Sequence, residues 1–103
     1  MAYKLIISNN TNDNINNIVE YLINHLSNLQ AAKAILDDIE IAFSKLEEAA
    51  EMYPLCNDSY LVRKGYRKLP LDKHEYIILY QVRNKEVHIG GIFYTRENYS
   101  SKL

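Results

Sequence analysis

The spacing of apolar residues changes period along this chain. "YKLIIS" (residues 3–8) is a short run of β-forming residues and predicts a strand, at an edge or in the centre of a sheet. "NNTNDN" (9–14) follows, rich in residues that turn and cap. Ile15, Ile18, Val19, Leu22 and Leu26 then recur at helical spacing, which predicts a helix over about 13–26. "SNL" (27–29) interrupts the stripe, and Ser27 or Asn28 can cap a new helix there. A second stripe runs through Ala32, Ile35, Ile39, Ala42, Phe43, Leu46 and Ala50. It predicts a long helix over 29–51 with Asp37, Asp38, Glu40, Glu47 and Glu48 on its wet face. So short a break between two amphipathic helices implies an antiparallel hairpin. Pro54 stops the second helix.

"LCNDS" (55–59) reads as a loop, and from Tyr60 the character changes. Six of the nine tyrosines lie between Tyr60 and Tyr99, among Val, Ile and Leu. Three strands are predicted, near 64–70, 75–83 and 86–95. Asn84 and Lys85 centre a hairpin turn between the last two, and residues 73–75 form another. Gly90–Gly91 inside the third of these strands predicts a bulge or a close approach by another group. The order is β-αα-βββ over one domain, residues 1–103. That is the α+β class: an N-terminal strand, a helical hairpin, then a mostly antiparallel sheet of about four strands. In strand 75–83, Tyr76, Ile78, Tyr80 and Val82 share one face, while Ile77, Leu79 and Gln81 share the other. Both faces are apolar. One packs on the hairpin; the second needs a cover, from a C-terminal segment, a second copy or another protein.

Charge changes the picture more than composition does. Residues 1–52 carry three lysines against eight carboxylates, and residues 53–103 carry nine Lys and Arg against five carboxylates. A basic half implies an anionic partner, nucleic acid among them; the alternative is that helices simply collect glutamate. No apolar run approaches the length of a membrane span. Leu5 to Ile7 and the flanking Ser8 are too few for a signal-peptide core, so a cytoplasmic protein is expected. Cys56 is the only cysteine and excludes an internal disulfide. His25, His74 and His88 are scattered without ligand spacing, so no metal or other cofactor is expected.

At "GYRKL", "YIILYQV" and "VHIGGIFYTRENY" the chain resembles the RelE/ParE superfamily of toxins from bacterial type II toxin–antitoxin systems. The opening "YKLIIS", the helical "IVEYLINHLSNLQAA", the proline after the hairpin and the C-terminal Arg-x-x-Tyr fall in the family's order, so the resemblance covers almost the whole chain. It implies a small α+β toxin held inactive in a hetero-oligomer with a cognate antitoxin. RelE-like members of the superfamily cleave mRNA in the ribosomal A site without a metal. There cationic side chains stabilise the charge on the phosphate while other groups move the protons. ParE-like members poison DNA gyrase and lack that catalytic set.

The resemblance makes Arg67, Arg96 and Tyr99 the candidate catalytic residues. Arg67 and Arg96 match basic positions of ribonucleolytic members, and Tyr99 stands where an aromatic or histidine acts. Leu69 and Ile77 stand where such members carry further cations, although Lys68 is adjacent to Leu69 on the opposite face. The functional expectation is ribosome-dependent mRNA cleavage. The alternatives are gyrase inhibition without catalysis, or a decayed toxin that only binds its antitoxin. Each candidate also has a structural reading. Arg67 could pair with Glu75 or Glu86 across the sheet, Arg96 could end the fold in an ion pair, and Tyr99 could pin the C-terminus by packing.

Overall fold

The computed structural model describes residues 2–103. Strand β1 (Lys4–Ile7) leads into helices α1 (Asn9–Asn24) and α2 (Leu29–Ala49), and a single 3-10 turn (Ala50–Met52) extends α2. A five-residue helix α3 (Ser59–Arg63) precedes β2 (Arg67–Pro70), β3 (Tyr76–Arg83) and β4 (Glu86–Tyr94), and a 3-10 turn (Tyr99–Lys102) closes the chain. The sheet order is β1-β4-β3-β2. β1 lies at the edge, parallel to β4, and the other pairings are antiparallel. The α+β architecture and the mostly antiparallel sheet are those expected.

Helix α1 begins four residues earlier than its apolar stripe predicts, inside the asparagine-rich segment. Ser8 caps it, its Oγ accepting from Thr11 N at 3.0 Å. Thr11 is fully buried and donates its hydroxyl to Ile89 O on β4 at 3.1 Å. Asn10 and Asn14 also reach β4, at Gly90 O (3.0 Å) and Ile92 N (3.1 Å). Residues that would favour a turn in isolation are drawn into the helix because β4, beyond the end of β1, offers backbone groups with no strand partner on that side.

Asn28 caps α2 through its Oδ1, which accepts from Ala31 N at 3.0 Å. Ala32, Ile35, Ile39, Ala42 and Leu46 are the buried stripe of α2. Ile35, Ile39, Ala42 and Leu46 of this stripe pack in one core with Ile78, Tyr80, Val87, Ile89 and Ile92. Asp38, expected on the wet face, is instead 2 % exposed. It reaches over the sheet margin to hold the β2–β3 turn, which a solvent-facing carboxylate would not do.

Asn84 and Lys85 both have positive φ, 51° and 66°, as a two-residue hairpin turn of the I′ kind requires. Leu79 pairs with Gly91 and Tyr80 with Ile89, which leaves Gly90 as the extra residue of a bulge in β4. The second sheet face differs from expectation in one respect. Segment 55–59 is not all loop: Asp58 caps α3, its Oδ1 accepting from Tyr60 N (2.9 Å) and Leu61 N (3.1 Å). Leu61 and Cys56 cover Ile77, Leu79 and Phe93, with Tyr66, Tyr99 and Leu103 packed around them. The chain therefore covers the apolar part of this face itself, from α3 and the C-terminal turn. The first strand of the second half accordingly starts at Arg67 rather than near residue 64.

Candidate functional site

Arg67 opens β2 opposite Tyr80, and residues directly opposite in an antiparallel pair share a face. Tyr80 belongs to the core under the hairpin, so Arg67 is on the hairpin side. Its Nη1 donates to Tyr53 O at 2.7 Å and Glu51 O at 3.3 Å. Tyr80 donates its hydroxyl to Ala50 O at 2.6 Å. Together they satisfy carbonyls that the end of α2 leaves without a helical partner. Neither Glu75 nor Glu86 is the partner of Arg67.

Arg96 follows β4 in an exposed turn. Its side chain is 75 % exposed, with Nη2 at 3.4 Å from Glu75 Oε1. Tyr94 donates its hydroxyl to the other oxygen of Glu75 at 3.3 Å. Glu97 accepts from Tyr94 N at 2.7 Å and pairs with Lys102, which fixes the turn. Tyr99 lies on the far side of the sheet from Arg67. It stacks on Phe93, with ring centroids 6.0 Å apart. Burial pushes its phenol pKa up, and it pushes the neighbouring Cys56 thiol up as well. A phenol so shifted keeps its proton at neutral pH, so little phenolate is present to act as a base. Ile77, where the resemblance notes a missing cation, is 4 % exposed beneath the second layer.

The sheet thus separates Arg67 from Tyr99, and Arg96 stands at its rim. Matching over residues 5–99, the chain fits the family described as the ParE toxin of the type II toxin–antitoxin system, parDE. The chain belongs to the ParE toxin family. No curated protein matches this ParE-family chain. A solved structure described as a chromosomal ParDE TA system from P. aeruginosa is similar in fold, with a TM-score of 0.76 at 18 % identity. The match covers 92 % of this chain and 98 % of that one.

Two features of this ParE-family chain escaped the reading of the sequence. One is an ionic clasp on the β2–β3 turn. Asp38 Oδ2 accepts from Lys73 N (2.9 Å) and meets His74 Nδ1 (2.7 Å), while Lys45 reaches Asp72 at 2.8 Å. Burial pushes the Asp38 carboxyl up, but the His74 and Lys73 hydrogen bonds outweigh it and hold the group below its ordinary value. No spacing rule joins Asp38 to His74, so the sequence carried no signal for it. The other is a groove of about 510 Å³ between α1 and the end of β4, lined by Asn14, Asn17, Tyr21, Tyr76, Tyr94 and Lys102 among others. Tyr21, Ile23, Leu26, Leu29, Leu36 and Ile41 are further exposed apolar residues of the hairpin. Leu26, counted in the first stripe, is exposed past the end of α1, and the other five fall outside both stripes.

Proposed function

We propose that this chain is the toxin of a type II toxin–antitoxin pair, that a cognate antitoxin holds it in the cytoplasm, and that it acts by binding DNA gyrase rather than by cutting mRNA. The observation that carries this reading is the dispersal of Arg67, Arg96 and Tyr99. A ribonuclease needs its cations and its proton-transfer group around one phosphate. Here one arginine caps a helix on one face of the sheet, and the tyrosine packs on the other. Membership of the ParE toxin family supports the same reading. The exposed apolar hairpin and its groove are a surface of the kind an antitoxin segment would cover.

A second reading is favoured by the exposure of Arg96. In it, Arg96 and Arg67 bind the mRNA phosphate on the ribosome and Tyr99 moves a proton. One pair of assays separates the two. Antitoxin-free protein is added to a gyrase supercoiling reaction and, separately, to translating ribosomes with the mRNA 3′ ends mapped. The gyrase reading expects loss of supercoiling and intact mRNA. It also expects Arg67→Ala to lower stability by about 1–2 kcal/mol through the lost caps while inhibition per folded molecule is kept. Cuts inside codons that need ribosomes, and that Arg96→Ala abolishes, would replace it with the ribonuclease reading. Inactivity in both assays would leave a protein that only binds its antitoxin.

A further inference from the structure

The chain covers only part of its second sheet face. α3 and the C-terminal turn lie over Ile77, Leu79 and Phe93. Past them the described residues cover the same face only in part: Ile6, Gln81, Glu86 and His88 are half-buried, and Lys4 and Arg83 are exposed. In β3 it carries Gln81 and Arg83, which pair in register with His88 and Glu86 of β4. In β1 it carries Lys4 and Ile6, which stand beside Glu86 and His88. Gln81 Nε2 donates to Lys64 O at 2.7 Å and so places the end of α3, with Arg63 and Lys64, along the margin of this open area. Lys68 lies on the same face, opposite Leu79.

Among the described residues, Lys4, Arg63, Lys64, Lys68 and Arg83 make no ion pair. The nearby carboxylates are Glu86, which meets His88 Nε2 at 3.1 Å, Asp58, which caps α3, and Glu47, which lines one concavity with Lys4 at the β1 edge. The other seven carboxylates of residues 1–52 are elsewhere, on α1, α2 and the turn after α2. Most carboxylates of the acidic half thus lie on the helical side, while Arg63, Lys64, Lys68 and Arg83 of the basic half join Lys4 on the sheet side. A polyanion can approach the second without meeting the first.

We propose that this open basic face is a docking surface for the phosphodiester backbone of duplex DNA. In-register residues of β1 and β3 are two strand spacings apart, about 10 Å. Lys4 and Arg83 accordingly flank the face and can each take a phosphate, while Lys64 and Arg63 extend the contact along its margin. Duplex rather than single-stranded nucleic acid follows from the aromatics. Binding of single strands relies on free rings for base stacking. Of the rings at this margin, Tyr60 is 41 % exposed but has Lys64 Nζ 4.7 Å from its centroid, and Tyr66 is half-buried against Gly90. The surface goes beyond the proposed target, and its test uses neither gyrase nor ribosomes, so the two can fail separately.

The test is fluorescence anisotropy of a short labelled duplex of random sequence with the full-length, antitoxin-free protein, titrated at several salt concentrations. With about four phosphate contacts, affinity falls roughly a hundred-fold between about 50 and 200 mM salt. The triple variant Lys4→Gln, Lys64→Gln, Arg83→Gln, checked for an unchanged thermal midpoint, weakens binding at least about tenfold and lowers the salt slope by about three. Lys33→Gln, on exposed α2, changes neither quantity. The proposal is overturned if the wild type fails to bind at the lowest salt, or if the triple variant binds as the wild type does. Tighter binding of a single strand, or of a poly-glutamate peptide, would overturn it as well.

Discussion

Gly91 shows how little room a single residue has between the sheet and its second layer. A Cβ built there would lie 2.5 Å from the Phe93 ring and 3.0 Å from Asn14 Oδ1. Phe93 is buried and stacked against Tyr99, and Asn14 Oδ1 already accepts from Ile92 N. Neither neighbour can yield without losing a contact of its own. Gly91→Ala is therefore expected to cost about 1–3 kcal/mol, the range for overpacking a filled site. Gly90, one residue away in the bulge, meets only the Tyr66 ring at 3.1 Å and Leu103 at 3.3 Å. Those are outer side chains that can shift by a few tenths of an ångström, so Gly90→Ala should cost less. Urea unfolding of both variants checks the order, and a larger loss at Gly90 would show that the C-terminal turn, not Phe93, is the rigid wall.

At the scale of elements, the β2–β3 turn depends on α2 through one buried carboxylate. Asp38 binds Lys73 N and His74 Nδ1 with one oxygen, and its other oxygen is buried without a partner. Asp38→Asn should cost about 1–3 kcal/mol, since hydrogen bonds to a charged group are among the stronger ones. The sign with pH follows from the lowered folded-state pKa of Asp38. Its stabilisation is present above the unfolded value, near 3.9, and is lost as pH falls through the folded value. Thermal midpoints of wild type and Asp38→Asn should converge on acidification below about pH 4, and a difference that stayed constant there would refute the linkage. This clasp also marks where the sequence stops being legible. Helices α1 and α2, the strands β3 and β4 and the Asn84–Lys85 turn follow from local periodicity and turn chemistry, and all were readable. Asp38 was not, because its spacing on α2 fits the wet face and only the turn brought to it by tertiary folding makes it buried. Helix α3 was missed for a related reason. Tyr60, Leu61 and Val62 suit a strand, and the Asp58 cap that decides for a helix is one residue in a segment rich in loop formers. Arg67 was legible as a position in the family's order, but its commitment to the carbonyls of Glu51 and Tyr53 depends on where α2 happens to end.

For the whole molecule, the decisive feature is that the sheet has two unequal covers. The hairpin supplies the larger core, and the smaller one consists of Cys56, Leu61, Ile77, Leu79 and Phe93 under a few outer side chains. Two of those, Tyr99 and Leu103, come from the last five residues. The cover is thus part of the fold, and Tyr99, which a ribonuclease reading would use for chemistry, is a residue the sheet uses for packing. Removing residues 99–103 takes away the stacked ring over Phe93 and the Leu103 contact against the bulge at Gly90. Partly burying one aromatic and one leucine contributes about 2–3 kcal/mol, which in a domain of this size lowers the thermal midpoint by roughly 10–20 °C. Full loss of folding is not expected, because the hairpin core is untouched. Tyr99→Phe separates packing from proton transfer: it keeps the ring and removes only the hydroxyl, so it should leave the midpoint within about 2–4 °C of the wild type. If Tyr99→Phe retains growth inhibition in cells while the truncation loses it together with its stability, Tyr99 acts as a cover. Loss of inhibition with an unchanged midpoint would instead make the phenol part of the toxin's chemistry.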